Sequence, residues 1–253
     1  MIRSVLAATM FALLVACQQS APSPSAGRKS ACQTIEFNGS QFTDCIADPQ
    51  HHRIILVTSG SDGTPLRSLS ALRDMMVTRK VAFAMNAGMF DDAGRPIGLY
   101  VENGSVRHTL NRKAGPGNFH MLPNGVFVVS PKGWAVATSD AFLRSGASQS
   151  VDYATQSGPM LVVDGRLHPS ISDDGPSRNI RNAVGVDPQG RAHFVISEDA
   201  VSFGKLARLY RDQLHCTNAL YLDGFVSSLW DAAADRLDGG PPLGPLLVVE
   251  QAS

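Results

Sequence analysis

The stretch AVGVDPQGRAHFVIS, residues 183–197, decides the fold. Two apolar runs, 183–186 and 192–197, flank Asp187-Pro188-Gln189-Gly190, where proline fixes φ and glycine accepts a left-handed backbone, so the chain turns back as a β-hairpin. The signal recurs. Residues 99–101 and 105–107 flank Asn103-Gly104, 119–122 and 126–129 flank Asn124-Gly125, and 160–163 and 166–168 flank Asp164-Gly165. Hairpins of this kind predict antiparallel pairing rather than a doubly wound parallel sheet. Apolar runs at 35–37, 54–57, 81–85, 219–222 and 246–249 add further strands. Two stretches carry helical spacing: 68–79, with Leu69, Leu72 and Met76 on one face behind Ser68, and 203–214, with Phe203, Leu206, Ala207, Tyr210 and Leu214 behind Ser202. The expected fold is α+β, a single domain with a largely antiparallel or mixed β-sheet core, several hairpins and two main helices.

The N-terminus sets the compartment. Met1-Ile2-Arg3 is a short basic start, and the apolar run 5–15 is too short to span a bilayer, so residues 1–16 read as an export signal. Leu14-Val15-Ala16-Cys17 resembles the lipobox of bacterial lipoproteins, which predicts cleavage before Cys17 and its acylation. Residues 17–30, rich in Ser, Pro, Ala and Gly, read as a flexible tether, and 31–253 as the folded domain. The expected location is a bacterial membrane, with the lipoprotein facing the periplasm or the cell surface. Oxidation there permits a Cys32–Cys45 disulfide and leaves Cys216 as a buried thiol. Lys+Arg and Asp+Glu are 22 each, so no basic excess points to nucleic acid.

Several familiar chemistries are missing from the pattern. There is no G-x-S-x-G elbow and no H-E-x-x-H, and the seven histidines lack metal-ligand spacing. Neither a metal nor a cofactor is expected. Polar residues gather instead at strand ends: 155–158, 177–182, 197–199, and Asp223-Gly224 after the run 219–222. An acid at a strand end followed by glycine can place a carboxylate and backbone N–H groups in one cleft, although Asp-Gly is also an ordinary turn. An arginine fork at 178 or 181 suits an anionic substrate as well as it suits a surface ion pair.

The segments AFAMNAGMF, GLYVENG, GNFHMLPNGVFVV, ATQSGPMLVVDGRLHP, SRNIRNAVGV, HFVISEDAVSFGKLARLYRDQL and CTNALYLDGFVSSLWD together resemble successive blocks of the phosphodiester glycosidase family, in the family's order. The resemblance implies an α+β fold, a phosphorylated carbohydrate as substrate, and hydrolysis of a sugar joined through its anomeric oxygen to a phosphodiester in the cell envelope. It nominates Asp223 and Glu198 as catalytic carboxylates, and Asn86, Gly88, Gln156, Ser157, Arg178, Asn179, Arg181, Gly224 and Ser227 as substrate-binding positions. Asp223 is expected to act as nucleophile or as base toward water, and the arginines to hold the phosphate. Phe225-Val226 stands where relatives carry a more glycine-rich run, which bears on the sugar accepted. A non-catalytic envelope glycan binder and a partner in polysaccharide assembly are the alternatives. The oligomeric state stays open.

Overall fold

The computed structural model describes residues 29–146 and 150–252. The expected signal, Cys17 and the tether up to residue 28 lie outside the described residues. Ser30, expected in the tether, hydrogen-bonds to the Asp231 carboxylate at 2.6 Å. Among the described residues no helix is long and apolar enough to cross a membrane.

The first strands are β1 (Cys32–Phe37), β2 (Ser40–Ala47), β3 (His52–Val57), β4 (Val81–Asn86), β5 (Tyr100–Glu102) and β6 (Ser105–His108). Then come β7 (Gly125–Ser130), β8 (Gly133–Thr138), β9 (Tyr153–Ser157), β10 (Met160–Val163), β11 (Arg166–Leu167), β12 (Asn182–Val186) and β13 (Ala192–Ser197). The chain closes with β14 (Ala219–Tyr221), β15 (Leu229–Asp231), β16 (Arg236–Leu237) and β17 (Leu246–Gln251). The α-helices are α1 (Leu69–Met75), α2 (Ser139–Arg144) and α3 (Phe203–Arg208).

These strands form three sheets, ordered β1-β2-β13-β12-β14-β10-β11, β16-β15-β4-β17-β3 and β6-β5-β9-β7-β8. The neighbours pair antiparallel, as the hairpin signals require. Each sheet turns one face to a shared core, where Phe194 of the first sheet meets Phe83 of the second at 5.7 Å and Phe127 of the third at 5.5 Å. The opposite faces are covered by helices: α3 packs on the first sheet, α1 on the second and α2 on the third. Sheets buried on both sides explain the continuous apolar runs, β4 being buried at every position.

Two hairpins carry their turn chemistry openly. Asn103-Gly104 and Asp164-Gly165 have positive φ at both residues, the backbone that two-residue turns with matching twist demand. Asn38-Gly39 does the same between β1 and β2, a hairpin absent from the sequence reading. Asn124-Gly125 is different. Residues 119–122 are not a strand, and β7 pairs instead with β8, which the sequence reading lacked. A Cβ at Gly125 would collide with Met160 Sδ and Ala137 O, so this glycine serves close packing inside a strand rather than a turn. The helices are also shorter than expected. Ser68 caps α1 as foreseen, but the helix stops at Met75, and behind Ser202 α3 passes after Arg208 into a π-helical turn over Leu209–Gln213. The Cys32–Cys45 disulfide joins residues directly opposite on β1 and β2, and Cys216 is free and buried.

Candidate active site

β14 lies in the first sheet and β15 in the second, so residues 222–228 carry the chain from one to the other. Asp223 stands in that crossing. Its N–H donates to Ala87 O just beyond β4 (3.2 Å), and the Leu222 N–H donates to Asn182 O at the start of β12 (3.1 Å). Gly224–Val226 then form a 3-10 turn, whose Phe225 N–H donates to Asp223 Oδ1 at 3.3 Å. The carboxylate is thereby held at a sheet junction.

Beneath it lies a net of amides and hydroxyls. Asn86 Nδ2 donates to Asp223 O (2.8 Å), while Asn86 Oδ1 accepts from Asn182 Nδ2 and from the Ser228 N–H, both at 3.0 Å. Ser227 Oγ lies 3.2 Å from Asn182 Oδ1. Fully partnered buried polar groups of this kind fix one arrangement. Asn182 is the node of the net; in the sequence it closes the polar stretch 177–182 and was given no role of its own.

Gly224 is demanded by a neighbour. A Cβ there would strike the Tyr221 hydroxyl, which accepts a hydrogen bond from Arg181 Nη1 at 3.2 Å. Arg181 is only 1% exposed. Its Nε donates to Val201 O and its Nη2 to Ser177 O and Oγ, and the guanidinium lies 3.7 Å from the Phe203 ring centroid. No carboxylate among the described residues pairs with it, so its permanent charge rests on neutral acceptors and ring faces. Tyr221 was also missed, since in an apolar strand a tyrosine is indistinguishable from core filler.

Asp223 is the electrostatic counterpart. Burial pushes its carboxyl above the ordinary range, only partly offset by the Phe225 N–H, and no cation among the described residues pairs with it. A carboxyl raised in this way is a stronger base when ionised and a usable acid when protonated.

The other expected positions divide. Gly88 abuts Thr155 and Gln156, with its N–H on Thr155 Oγ1 at 3.1 Å and no room for a Cβ against Gln156 O. Gln156 is a buried clamp: its Oε1 accepts from the Leu99 and Asn111 N–H groups, and its Nε2 donates to Asn111 O and Ser139 Oγ. Ser157 is fully buried, and its Oγ has no partner among the described residues. Asn179 joins Val201 in an isolated bridge that anchors the 177–181 loop. Arg178 on that loop pairs with Asp174 at 2.9 Å, 40% of its side chain exposed, and is open to exchange partners. Glu198 stands at the same end of the first sheet as Asp223. It follows β13, two strands from β14, about 10 Å at the backbone, and is engaged by Arg236 (2.5 Å) and Thr43 (2.6 Å).

The phosphodiester glycosidase family model matches residues 79–241, which spans the site from β4 to past β16. The chain belongs to the phosphodiester glycosidase family. Uncharacterized protein YigE of Escherichia coli (strain K12) is 36% identical over 184 residues, covering 72% of this chain and 71% of YigE. Among solved structures, the fold is similar to the catalytic domain of zebrafish N-acetylglucosamine-1-phosphodiester alpha-N-acetylglucosaminidase, auto-inhibited by its pro-peptide, with a TM-score of 0.59 at 16% identity over 87% of this chain and 82% of that one. It is similar also to a hypothetical protein from Synechocystis, with a TM-score of 0.54 at 15% identity, covering 87% of this chain and 61% of that one. The side chain that follows Asp223-Gly224, Phe225, is 88% exposed beside a half-buried carboxylate.

Proposed function

We propose that this phosphodiester glycosidase hydrolyses the bond between a sugar and the phosphodiester on its anomeric oxygen, and that it does so in the bacterial envelope, exported and held by a lipid on Cys17. The observation that carries the reading is the Asp223 carboxyl, raised by burial, without a cation among the described residues, and fixed by backbone at the junction of two sheets.

Asp223 acts as base: it takes a proton from water, the water oxygen bonds to the anomeric carbon, and the C–O bond to phosphate breaks with its electron pair leaving on the phosphomonoester. The phosphate already spreads negative charge, so it leaves with little need of a proton. A single carboxylate then suffices, which fits a Glu198 committed to Arg236. Arg178 supplies the phosphate contact by exchanging Asp174 for substrate, whereas the N–H groups of Arg181 point inward to Tyr221, Ser177 and Val201. Gly88, Asn179, Gly224 and Ser227 shape the surrounding backbone.

The test is to incubate the protein with a panel of glycosyl-1-phosphodiesters and follow phosphorus NMR. A phosphomonoester appearing with an equimolar free sugar supports the proposal. Sugar phosphate with a free alcohol would make it a phosphodiesterase, and saturable binding without products would make it a glycan binder.

A further inference from the structure

Among the described residues six large hydrophobic side chains are exposed, and two of them, Phe225 at 88% and Ile180 at 39%, stand on the two loops that meet beside Asp223. The loops are tied there. Ser227 Oγ lies 3.4 Å from Ile180 O on one loop and 3.2 Å from Gly224 O on its own. The exposure of Phe225 is not that of a loose segment, because both neighbours are buried. Gly224 lies against the Tyr221 hydroxyl, and Val226, 4% exposed, packs in the apolar cluster that α1 forms with the second sheet. The Phe225 N–H is itself spent on Asp223 Oδ1 at 3.3 Å. A backbone pinned on both sides thus holds an aromatic ring in water next to the Asp223 carboxylate, where no described residue covers it.

The charges around the ring decide what it can contact. The face of an aromatic ring is negative, so it repels a phosphate and attracts C–H bonds, which a sugar ring presents on its faces between hydroxyl edges. The phosphate contact lies elsewhere. Arg178 is drawn to Asp174, which also accepts from Ser202 Oγ, the cap of α3 on the first sheet, whereas the turn that carries Phe225 leads toward the second. With phosphate at Arg178 and the anomeric carbon at Asp223, the sugar is the part of the substrate left on the Phe225 side.

Building on the glycosidase reading above, we propose that Phe225 is the platform on which the substrate's sugar packs, and so a residue that sets which sugar is accepted. The ring loses water against the C–H face of the sugar. That gain is made alike in the ground state and the transition state, so it acts on KM rather than on kcat.

The test uses the full-length protein with the methyl and octyl phosphodiesters of glucose, mannose, galactose and N-acetylglucosamine 1-phosphates, followed by phosphorus NMR. On the methyl ester that the wild type takes best, Phe225→Ala should raise KM about ten-fold, as an aromatic contact can be worth, with kcat within about two-fold. Phe225→Tyr should stay near the wild type. Melting temperature should not move, since the ring is exposed. A KM change confined to the octyl ester assigns the ring to the aglycone and overturns the proposal. Unchanged kinetics overturn it too, and both results leave the glycosidase reading standing. If the wild type hydrolyses none of these esters, that reading fails instead, and saturation-transfer NMR with the free sugars decides the contact by itself. Sugar signals weakened by Phe225→Ala then uphold the platform, while signals that it leaves unchanged, or none at all, overturn it.

Discussion

The two ends of β12 treat buried charge in opposite ways. At its C-terminal end, His193 places Nδ1 3.0 Å from Asp44 and Nε2 3.3 Å from Asp187, and Arg191 closes on Asp187 at 2.6 Å. Each charge there has a partner. At its N-terminal end, Arg181 is surrounded by neutral groups, and across the strand pair the Asp223 carboxylate has, among the described residues, a backbone N–H at 3.3 Å and no cation. Desolvation costs the same physics at both ends, but only one end recovers it within the fold. The uncompensated end is where a substrate with charge of its own has something to supply, and the compensated end is architecture.

The largest effect that tests this contrast is Asp223→Asn. The amide keeps the shape and removes the base, so turnover of a glycosyl phosphodiester should fall by about 10³-fold or more, measured by phosphorus NMR. Thermal denaturation should show no loss of stability, because the substitution removes a charge the fold leaves unpaired. Wild-type turnover in this variant would sink the role given to Asp223. Asp44→Asn should do the reverse: it strips a carboxylate from a buried pair and should cost about 3 kcal/mol in urea unfolding, with kcat unchanged at temperatures where the variant is folded.

The pH dependences sharpen the same comparison. Burial works against the charged imidazole of His193, but Asp44 and Asp187 outweigh it and raise its pKa. A raised folded-state value means that the stabilisation is complete below the unfolded pKa, about 6.5, and is lost as pH rises through the elevated one. Urea stability should therefore decline above that point, and His193→Asn should flatten the decline. Asp223 gives an activity signal instead. Its carboxyl lies above 3.8, so the acid limb of kcat should fall at a pH higher than an ordinary aspartate would give, and a limb at or below 3.8 would contradict its burial. Tyr221→Phe is milder. It removes the hydroxyl that accepts from the buried Arg181, and should cost about 1–2 kcal/mol of stability and lower kcat without changing KM.

The legible parts of the fold were those whose cause is local. Turn residues with positive φ announced the hairpins at 103–104 and 164–165, and helical spacing behind a serine cap announced α1 and α3. Gly125 misled because a glycine excluded by crowding from Met160 and Ala137 looks, in sequence, the same as one selected for its φ. The site shows the same divide. Asp223 and Gly224 interrupt an apolar run and are visible, whereas Tyr221 and Asn182 owe their importance to partners 40 and 96 residues away. Glu198 was visible as a strand-end carboxylate, but the arginine that meets it, Arg236, comes from another sheet and was not.

Glu198 therefore offers the smallest and most discriminating effect. It follows the strand that carries His193, yet its partner Arg236 comes from β16 of the second sheet, so the pair ties two sheets together at their rim. Both side chains are partly exposed, 27% for Arg236 and 35% for Glu198, and such pairs contribute about 1 kcal/mol or less. Arg236 also keeps Asp238 at 3.0 Å, so loss of Glu198 leaves no orphaned cation. Glu198→Gln should accordingly shift unfolding slightly and leave kcat within about two-fold, a change of under 1 kcal/mol in the barrier. A fall in kcat comparable to that of Asp223→Asn, at unchanged stability, would instead make Glu198 a second working carboxylate. Glu198 would then have to leave Arg236 when substrate binds, which their ion pair opposes.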